Sequence, residues 1–170
     1  MDISKLSAGK KAPDEVNAFV EIPQGSSTKY ELDKETGVLK VDRFLHTNMF
    51  FPFNYGFIPS TLAEDGDPLD ILILTSYPIK SGSVISVRPV GMLEMEDESG
   101  IDTKILSVPV EKVDPNYKDV KEVKDLNKSL LDRIKHFFDH YKDLEPGKWV
   151  KTGNFLGKEK AYEAIKKAMK

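Results

Sequence analysis

Residues 84–110 read VISVRPVGMLEMEDESGIDTKILSVPV, and this stretch decides the fold class. Apolar and β-branched residues fill 84–95, the same character returns at 103–110, and Gly100 lies between the two runs. Such runs, bounded by turn residues, are typical of β-strands. We therefore predict two strands here, joined by a turn.

Shorter runs of the same kind precede this pair of strands. They lie at residues 16–22, 29–32, 38–41 and 69–75, and residues that favour turns separate them. Several short strands with a turn about every ten residues are typical of a small antiparallel barrel or sandwich.

The last third of the chain changes its hydrophobic period. Apolar residues recur three or four apart over residues 123–144, which predicts an amphipathic helix capped by Asn127 or Asp125 and ended by the Pro-Gly pair at 146–147. A second, shorter helix is predicted at 158–169. The expected class is α+β, with helices packed against a barrel-like sheet.

Composition sets limits on the architecture and the location. The 170 residues are 39% hydrophobic and 31% charged, as in globular proteins, and no repeat or linker divides them, so we expect one domain over 1–170. The chain contains no cysteine, its first residues lack the apolar stretch of a signal peptide, and no apolar run approaches the roughly 18 residues of a membrane span. A cytoplasmic protein without a membrane partner is expected.

The distribution of charge is uneven. The net charge is −3, which disfavours nucleic acid as a partner. Between residues 64 and 102 there are nine acidic residues against two basic ones. Like charges that lie close together raise one another's pKa or share a cation, so this region is expected to hold something positive.

The most informative acidic segment is 65–70, Asp-Gly-Asp-Pro-Leu-Asp. Gly66 permits a tight turn and Pro68 fixes its own φ, so three carboxylates are presented on a constrained loop before a buried strand. Oxygen ligands suit hard cations, Mg²⁺ first and then Mn²⁺ or Ca²⁺. A solvated acidic turn accounts for this hexapeptide equally well. A calcium-binding EF-hand does not, because its sixth position would be Asp70 instead of glycine and its twelfth Ser76 instead of glutamate.

A second acidic cluster lies at residues 97–104, in the turn between the two strands quoted first. Alone it is typical of an ordinary hairpin loop. Together with the first loop it could complete a site for several metal ions, which can bridge phosphoryl oxygens and lower the pKa of a bound water.

These motifs are also those of a known family. Residues 65–71 match its signature, Asp-x-Asp-Pro-apolar-Asp followed by apolar residues. Seven further motifs follow the family's order, at residues 21–23, 29–31, 41–44, 54–56, 88–91, 97–104 and 136–145. Over nearly its whole length the chain resembles the family I soluble inorganic pyrophosphatases, in their compact bacterial form.

The resemblance implies a fold, an activity and an assembly. The fold would be a small antiparallel five-stranded OB-like β-barrel with flanking C-terminal helices. The activity would be that of a Mg²⁺-dependent inorganic diphosphatase, with Mn²⁺ or Zn²⁺ as substitutes. It would hydrolyse pyrophosphate to two orthophosphates by in-line attack of metal-bound hydroxide. The assembly would be a homo-oligomer, specifically a hexamer.

The resemblance also implies roles for fourteen residues. Asp67 would be the general base. The metal ligands would be Asp65, Asp70, Asp97 and Asp102. Pyrophosphate would be bound by cationic and hydroxyl donors, namely Lys29, Arg43, Tyr55, Lys104, Tyr141 and Lys142. Carboxylates behind the metal ligands would hold metal-bound waters, and these are Glu21, Glu31 and Glu98.

One position departs from the family pattern. Phe51 stands before Pro52, where the family usually has tyrosine. The change removes a hydroxyl from the rim of the expected site. We predict reduced but not abolished activity relative to the family, since one neutral hydrogen bond contributes about 1 kcal/mol.

Features of the sequence also suggest two other functions. An oligonucleotide-binding barrel needs a basic groove, whereas the loops here carry acids. A zinc enzyme could use His136 and His140, which share a helix face, but the zinc-protease pattern places Glu where Phe137 stands. We expect these histidines at a subunit contact instead, where their protonation in mild acid would weaken assembly.

Overall fold

The strand predicted to begin at residue 84 is the longest in the chain and runs through the centre of the sheet. This computed structural model describes residues 5–169. Residues 1–4 and residue 170 lie outside the described residues. Part of the prediction that the chain lacks a signal peptide rests on residues 1–4. No helix in the described part is both long enough and apolar enough to cross a membrane.

Nine strands and two α-helices make up the regular structure of the described residues. They are β1 (Val16–Ile22), β2 (Thr28–Leu32), β3 (Leu39–Phe44), β4 (Asn54–Phe57), β5 (Asp70–Ile73), β6 (Val84–Asp97), β7 (Gly100–Ile101), β8 (Lys104–Pro109), α1 (Lys128–His140), β9 (Val150–Gly157) and α2 (Lys158–Ala168). The α+β class and the C-terminal helices are therefore confirmed.

Five strands pair in succession to give the OB-like sheet. β1 pairs with β4, β4 with β5, β5 with β8, β8 with β6, and β6 pairs with β1. β7 and β9 add to β6, which makes seven strands in this sheet. β2 and β3 form a separate two-stranded sheet.

The prediction of a wholly antiparallel sheet is wrong at one pair. β5 and β8 run parallel, with Ile71 opposite Ile105. Parallel neighbours need a crossover connection, and here the chain crosses through β6 and β7 before it returns as β8. The starts of β5 and β8 consequently lie side by side, which matters for the site.

β5 shows how the sheet forms its core. Its apolar residues are almost fully buried, and successive side chains point to opposite faces. Leu72 joins an aromatic-rich cluster with Phe53, Phe137 and Phe138, against α1. Ile71 joins a second cluster against α2. A strand buried on both faces reads as a continuous hydrophobic run, as this one does.

The first predicted helix is shorter than expected. α1 begins after Asn127, whose side-chain oxygen accepts a hydrogen bond from the Ser129 N–H at 2.8 Å. Residues Val123–Asp125 instead form a 3₁₀ turn, although Val123 is buried in the same core cluster. Leu144 lies beyond the helix end and is 64% exposed. The apolar spacing thus extends beyond α1 on both sides, into a 3₁₀ segment whose Val123 packs on the core and to a leucine that is exposed.

Candidate active site

A cavity of about 1040 Å³ opens between the β2–β3 hairpin, the β4–β5 loop and the turn from β6 to β8. Thirteen of the fourteen predicted site residues line it: Glu21, Lys29, Glu31, Arg43, Tyr55, Asp65, Asp67, Asp70, Asp97, Asp102, Lys104, Tyr141 and Lys142. Residues spread over most of the chain thus face one volume. Their individual roles stay predictions.

The β4–β5 loop presents its carboxylates as the local sequence suggests. Gly66 adopts a positive φ of 89° at the tip, and the Asp67 N–H donates to Asp65 Oδ1 at 2.9 Å. The Asp67 side chain is 69% exposed, and its Oδ1 accepts a hydrogen bond from Lys34 Nζ at 2.5 Å. Asp67 therefore stands at the mouth of the cavity rather than inside the carboxylate cluster.

A buried lysine joins two of the predicted metal ligands. Lys104 is 3% exposed, and its Nζ lies 2.5 Å from both Asp70 Oδ2 and Asp102 Oδ1. The side-by-side starts of β5 and β8 bring these groups together. Tyr55 donates its hydroxyl hydrogen to the same Asp70 oxygen at 2.5 Å.

Burial governs the protonation of this cluster. Burial raises the pKa of Asp102, although Lys104 opposes the shift. Burial also disfavours the charged form of Lys104, but Asp70 and Asp102 outweigh it and raise the pKa of Lys104 above its usual value. The Tyr55 pKa is raised well above its ordinary value by burial and by the nearby carboxylates. The lysine is thus held charged and the tyrosine neutral.

A second lysine is held at the opposite wall. Lys142 follows α1, is 8% exposed, and lies 2.9 Å from Asp97 Oδ2. Glu98 does not line the cavity but contacts Lys142 at 3.5 Å and Lys148 at 2.7 Å. Burial would raise the pKa of Glu98, but hydrogen bonds from Lys148 and from the backbone lower it to about 2. Glu98 therefore lies behind the cavity wall, in contact with two lysines that line it.

The β2–β3 hairpin supplies the remaining cations. Lys29 and Arg43 are paired across the two strands and both contact Asp42. Lys29 also contacts Glu31, and Arg43 Nε lies 2.9 Å from the buried carboxylate of Glu145. Each cation is therefore oriented by a carboxylate before any substrate binds.

Glu21 projects from β1 into the cavity wall. Its Oε1 accepts a hydrogen bond from the Leu32 N–H at 2.8 Å. Burial raises the pKa of Glu21 to about 7, against that hydrogen bond, and Asp70 adds to the rise. Glu21 thus holds the Leu32 N–H in place at some cost in stability, because its carboxylate is only partly exposed to water.

Two cationic residues of the cavity were missed from sequence, and three residues that the sequence analysis singled out lie elsewhere. Lys34 and Lys148 line the cavity, but lone lysines in turns carry no local signal. Phe51, expected at the rim, is 2% exposed, packs against the rings of Tyr55 and Phe137, and does not line the cavity. His136 and His140 lie outside the cavity on α1, with ring centroids 4.6 Å apart.

The donor set of the cavity suits hard divalent ions. The predicted ligands are all carboxylates, and the pKa of Asp102 is raised chiefly by burial, so further positive charge nearby would favour its ionised form. Among residues 5–169, no three His, Cys, Asp or Glu side chains are grouped as a formed metal site. Lys104 lies between Asp70 and Asp102, and it would have to shift for one ion to contact both carboxylates.

The fold and the cavity together define the class of this protein. An OB-like sheet carries a large polar cavity lined by half-buried and exposed carboxylates together with lysine and arginine, an arrangement suited to a small, highly charged phosphate compound. A sequence model described as inorganic pyrophosphatase matches residues 18–170. The chain belongs to the inorganic pyrophosphatase family.

Individual relatives agree over almost the whole chain. The inorganic pyrophosphatase of Aquifex pyrophilus is 57% identical over 169 residues, which cover 99% of this chain and 96% of that protein. The inorganic pyrophosphatase of Pseudomonas aeruginosa is 54% identical, with 99% and 97% covered. The crystal structure of inorganic pyrophosphatase from Thermus thermophilus superposes with a TM-score of 0.96 at 43% identity, covering 99% of this chain and 97% of that one.

Proposed function

We propose that this chain, acting as one domain, hydrolyses pyrophosphate to two orthophosphates in a Mg²⁺-dependent reaction with Asp67 as the general base. The observation that carries the proposal is one cavity that five aspartates and six lysine or arginine side chains line. Membership of the inorganic pyrophosphatase family supports the substrate and the hydrolytic reaction.

Divalent ions would be held by four carboxylates, those of Asp65, Asp70, Asp97 and Asp102. When bound, such ions lower the pKa of a coordinated water and offset phosphate charge. Mg²⁺ is proposed first because all four donors are oxygen; Mn²⁺ and Zn²⁺ are proposed as substitutes.

The chain's own cations bind and orient the substrate. Arg43 can donate two parallel hydrogen bonds to phosphate oxygens, whereas Lys29 and Lys142 act as point charges. Because neighbouring carboxylates already restrain these side chains, little conformational entropy remains to be lost when the anion binds. Tyr55 and Tyr141 line the same wall and remain protonated donors at neutral pH, since burial raises the pKa of both.

Asp67 takes the proton in the proposed reaction. Its carboxylate is exposed at the cavity mouth, and the hydrogen bond from Lys34 goes to Oδ1, so Oδ2 can face an attacking water. The water oxygen attacks one phosphorus in line with the bridging oxygen, the phosphorus–oxygen bond to the bridge breaks, and Asp67 accepts the proton. The charge on the departing phosphate is met by the lysine and arginine side chains.

The test is phosphate release from pyrophosphate, with and without Mg²⁺, by the parent and by Asp67→Asn. We expect no turnover in chelator, rapid turnover in Mg²⁺, and a loss of about 10²–10⁴-fold in the variant. Asp132→Asn is the matched control, because Asp132 pairs with Lys128 on α1 and is 62% exposed, far from the cavity wall. An Asp67→Asn enzyme as fast as the control would remove Asp67 as the base.

Assembly and location are proposed on narrower grounds. We propose that the protein is cytoplasmic and forms a homohexamer, with His136 and His140 at a subunit contact. His140 Nδ1 lies 2.9 Å from Asp143, and the rings of His136 and His140 contact each other at an angle of 48° on one exposed helix face. Light scattering should show dissociation as pH falls from 8 to 5. One unchanged size over that range would overturn the histidine contact.

A further inference from the structure

The loop that carries Asp65 and Asp67 is closed at its base by a side chain with no assigned role. The ladder between β4 and β5 extends one residue beyond the strands, where the Ile58 N–H donates to the Leu69 carbonyl at 2.9 Å. In a regular antiparallel pair, the Leu69 N–H would return the bond to the Ile58 carbonyl. Here the Thr61 hydroxyl takes that place.

The Thr61 hydroxyl hydrogen-bonds to both residues of this pair. Oγ1 donates to the Ile58 carbonyl at 2.6 Å and accepts from the Leu69 N–H at 2.9 Å. Thr61 is 2% exposed, and its two partners are equally buried. The hydroxyl is therefore inserted between the Ile58 and Leu69 backbones. It ends the ladder of hydrogen bonds between β4 and β5 and sets the distance between the two segments where the loop begins.

The backbone beside Thr61 is arranged to hold that insertion. Ser60 adopts a φ of 58°, a left-handed conformation that costs about 1 kcal/mol or more in a residue other than glycine. The turn is held from outside, because Ser60 Oγ donates to the Leu6 carbonyl at 2.9 Å and the Leu62 N–H donates to the Ala168 carbonyl at 2.7 Å.

The same hydrogen bonds connect Thr61 to the acidic groups. Asp70 directly follows Leu69, whose N–H is bound by Thr61. Asp67 is tied back to this region because the Ala63 N–H donates to its carbonyl at 2.7 Å. The separation of Asp70 from the loop-tip carboxylates thus depends on how far apart the Thr61 hydroxyl holds Ile58 and Leu69 at the base of the loop.

We propose that Thr61 is a positioning residue that sets the relative placement of the carboxylates on the two sides of the loop and thereby the affinity for divalent ions. This inference rests on the proposed metal-dependent function. Thr61 itself touches neither substrate nor ion in the proposal. It acts through the backbone of Leu69 and Ile58.

The test is Mg²⁺ binding to the metal-stripped full-length protein, measured by titration calorimetry. Thr61→Val keeps the shape of the side chain but removes the hydroxyl, so we expect Mg²⁺ affinity to fall about tenfold, the lower end of the range for changes behind metal ligands. Thr61→Ser keeps the hydroxyl and should bind Mg²⁺ within about twofold of the parent.

Ser107→Ala separates positioning from general loss of stability. Ser107 is fully buried in β8, and its hydroxyl donates to the Leu72 carbonyl at 2.8 Å, so its removal also deletes a buried hydrogen bond in the same sheet. This control should unfold at a lower urea concentration than the parent while binding Mg²⁺ unchanged.

Several outcomes would overturn the inference. A folded Thr61→Val protein with parental Mg²⁺ affinity would do so, as would a Ser107→Ala control weakened equally. If Thr61→Val does not fold, Thr61→Ser decides the question, because a tenfold loss in that variant would mean that the hydroxyl is not the determinant. A parent that binds no Mg²⁺ would instead refute the proposed metal sites themselves.

Discussion

Replacing Glu21 by glutamine should stabilise the metal-free protein at neutral and alkaline pH. Burial raises the pKa of Glu21 to about 7 in the folded chain, from 4.5. Glutamine has the same shape and keeps the oxygen that accepts the Leu32 N–H. The substitution therefore removes the charge without removing the hydrogen bond.

The sign and size of the effect follow from proton linkage. Between pH 4.5 and about 7 the folded protein holds a proton on Glu21 that the unfolded chain has lost, so stability falls as pH rises through this window. Below the window both states are protonated, and above it both are ionised. At about 1.4 kcal/mol per pH unit, the parent loses about 3 kcal/mol relative to Glu21→Gln.

Urea unfolding in chelator, at pH values from 4.5 to 9, measures this difference. The stability of Glu21→Gln should exceed that of the parent increasingly up to pH 7 and by a constant amount above it. Glu163→Gln is the control, since the Glu163 side chain is 65% exposed on α2 and should give a curve parallel to the parent's. A Glu21→Gln curve parallel to the parent's would refute the burial argument.

Three further outcomes are expected. Lys104→Gln should cost about 1–3 kcal/mol of metal-free stability in urea, because two half-buried carboxylates lose their cation; parental stability would contradict this. Gly56→Ala should cost about 3 kcal/mol or more, because its Cβ would lie 1.8 Å from the Phe19 carbonyl oxygen; a parental melting temperature would contradict that contact. Phe51→Tyr should leave kcat/KM within about twofold of the parent, because Phe51 is buried and does not line the cavity; a fivefold rise would show that the added hydroxyl reaches the site.

The predicted strands have a local signal. Three strands were missed, namely β4, β7 and β9, and β7 is only two residues long. β1 was predicted with its observed bounds because it is a β-rich run closed by Pro23. β4 lies in an aromatic run around Pro52, and its two buried positions hold Asn54 and Gly56 instead of apolar side chains, so the run shows no apolar–polar alternation. β9 contains Gly153, which packs against Glu94 of β6 and weakens any strand pattern.

The pairing of strands that are distant in the sequence is a second feature of the fold that local sequence patterns do not predict. β5 and β8 were both predicted as strands, but their parallel pairing depends on the crossover through β6. The juxtaposition of Asp70 with Lys104 follows from that pairing, so spacing alone predicts neither the ion pair nor the raised pKa of Lys104.

The predicted site residues were found through motifs rather than through geometry. Asp65, Asp67 and Asp70 share one hexapeptide with a constrained turn, which made the loop visible in the sequence. Lys34 and Lys148 stand in turns whose sequence is that of an ordinary charged surface, and only the fold brings them to the cavity. Thr61 has no signal at all, because its contribution depends on the ladder that it interrupts.

The most direct test of the account is a crystal structure of the protein soaked in Mn²⁺, with anomalous scattering used to locate the ions. We expect at least one anomalous peak in contact with carboxylate oxygens of Asp70 and of Asp65 or Asp102, with the Lys104 ammonium moved away from at least one of its present partners. A well-ordered crystal with no peak in the cavity at saturating Mn²⁺, or with peaks only elsewhere on the surface, would contradict it.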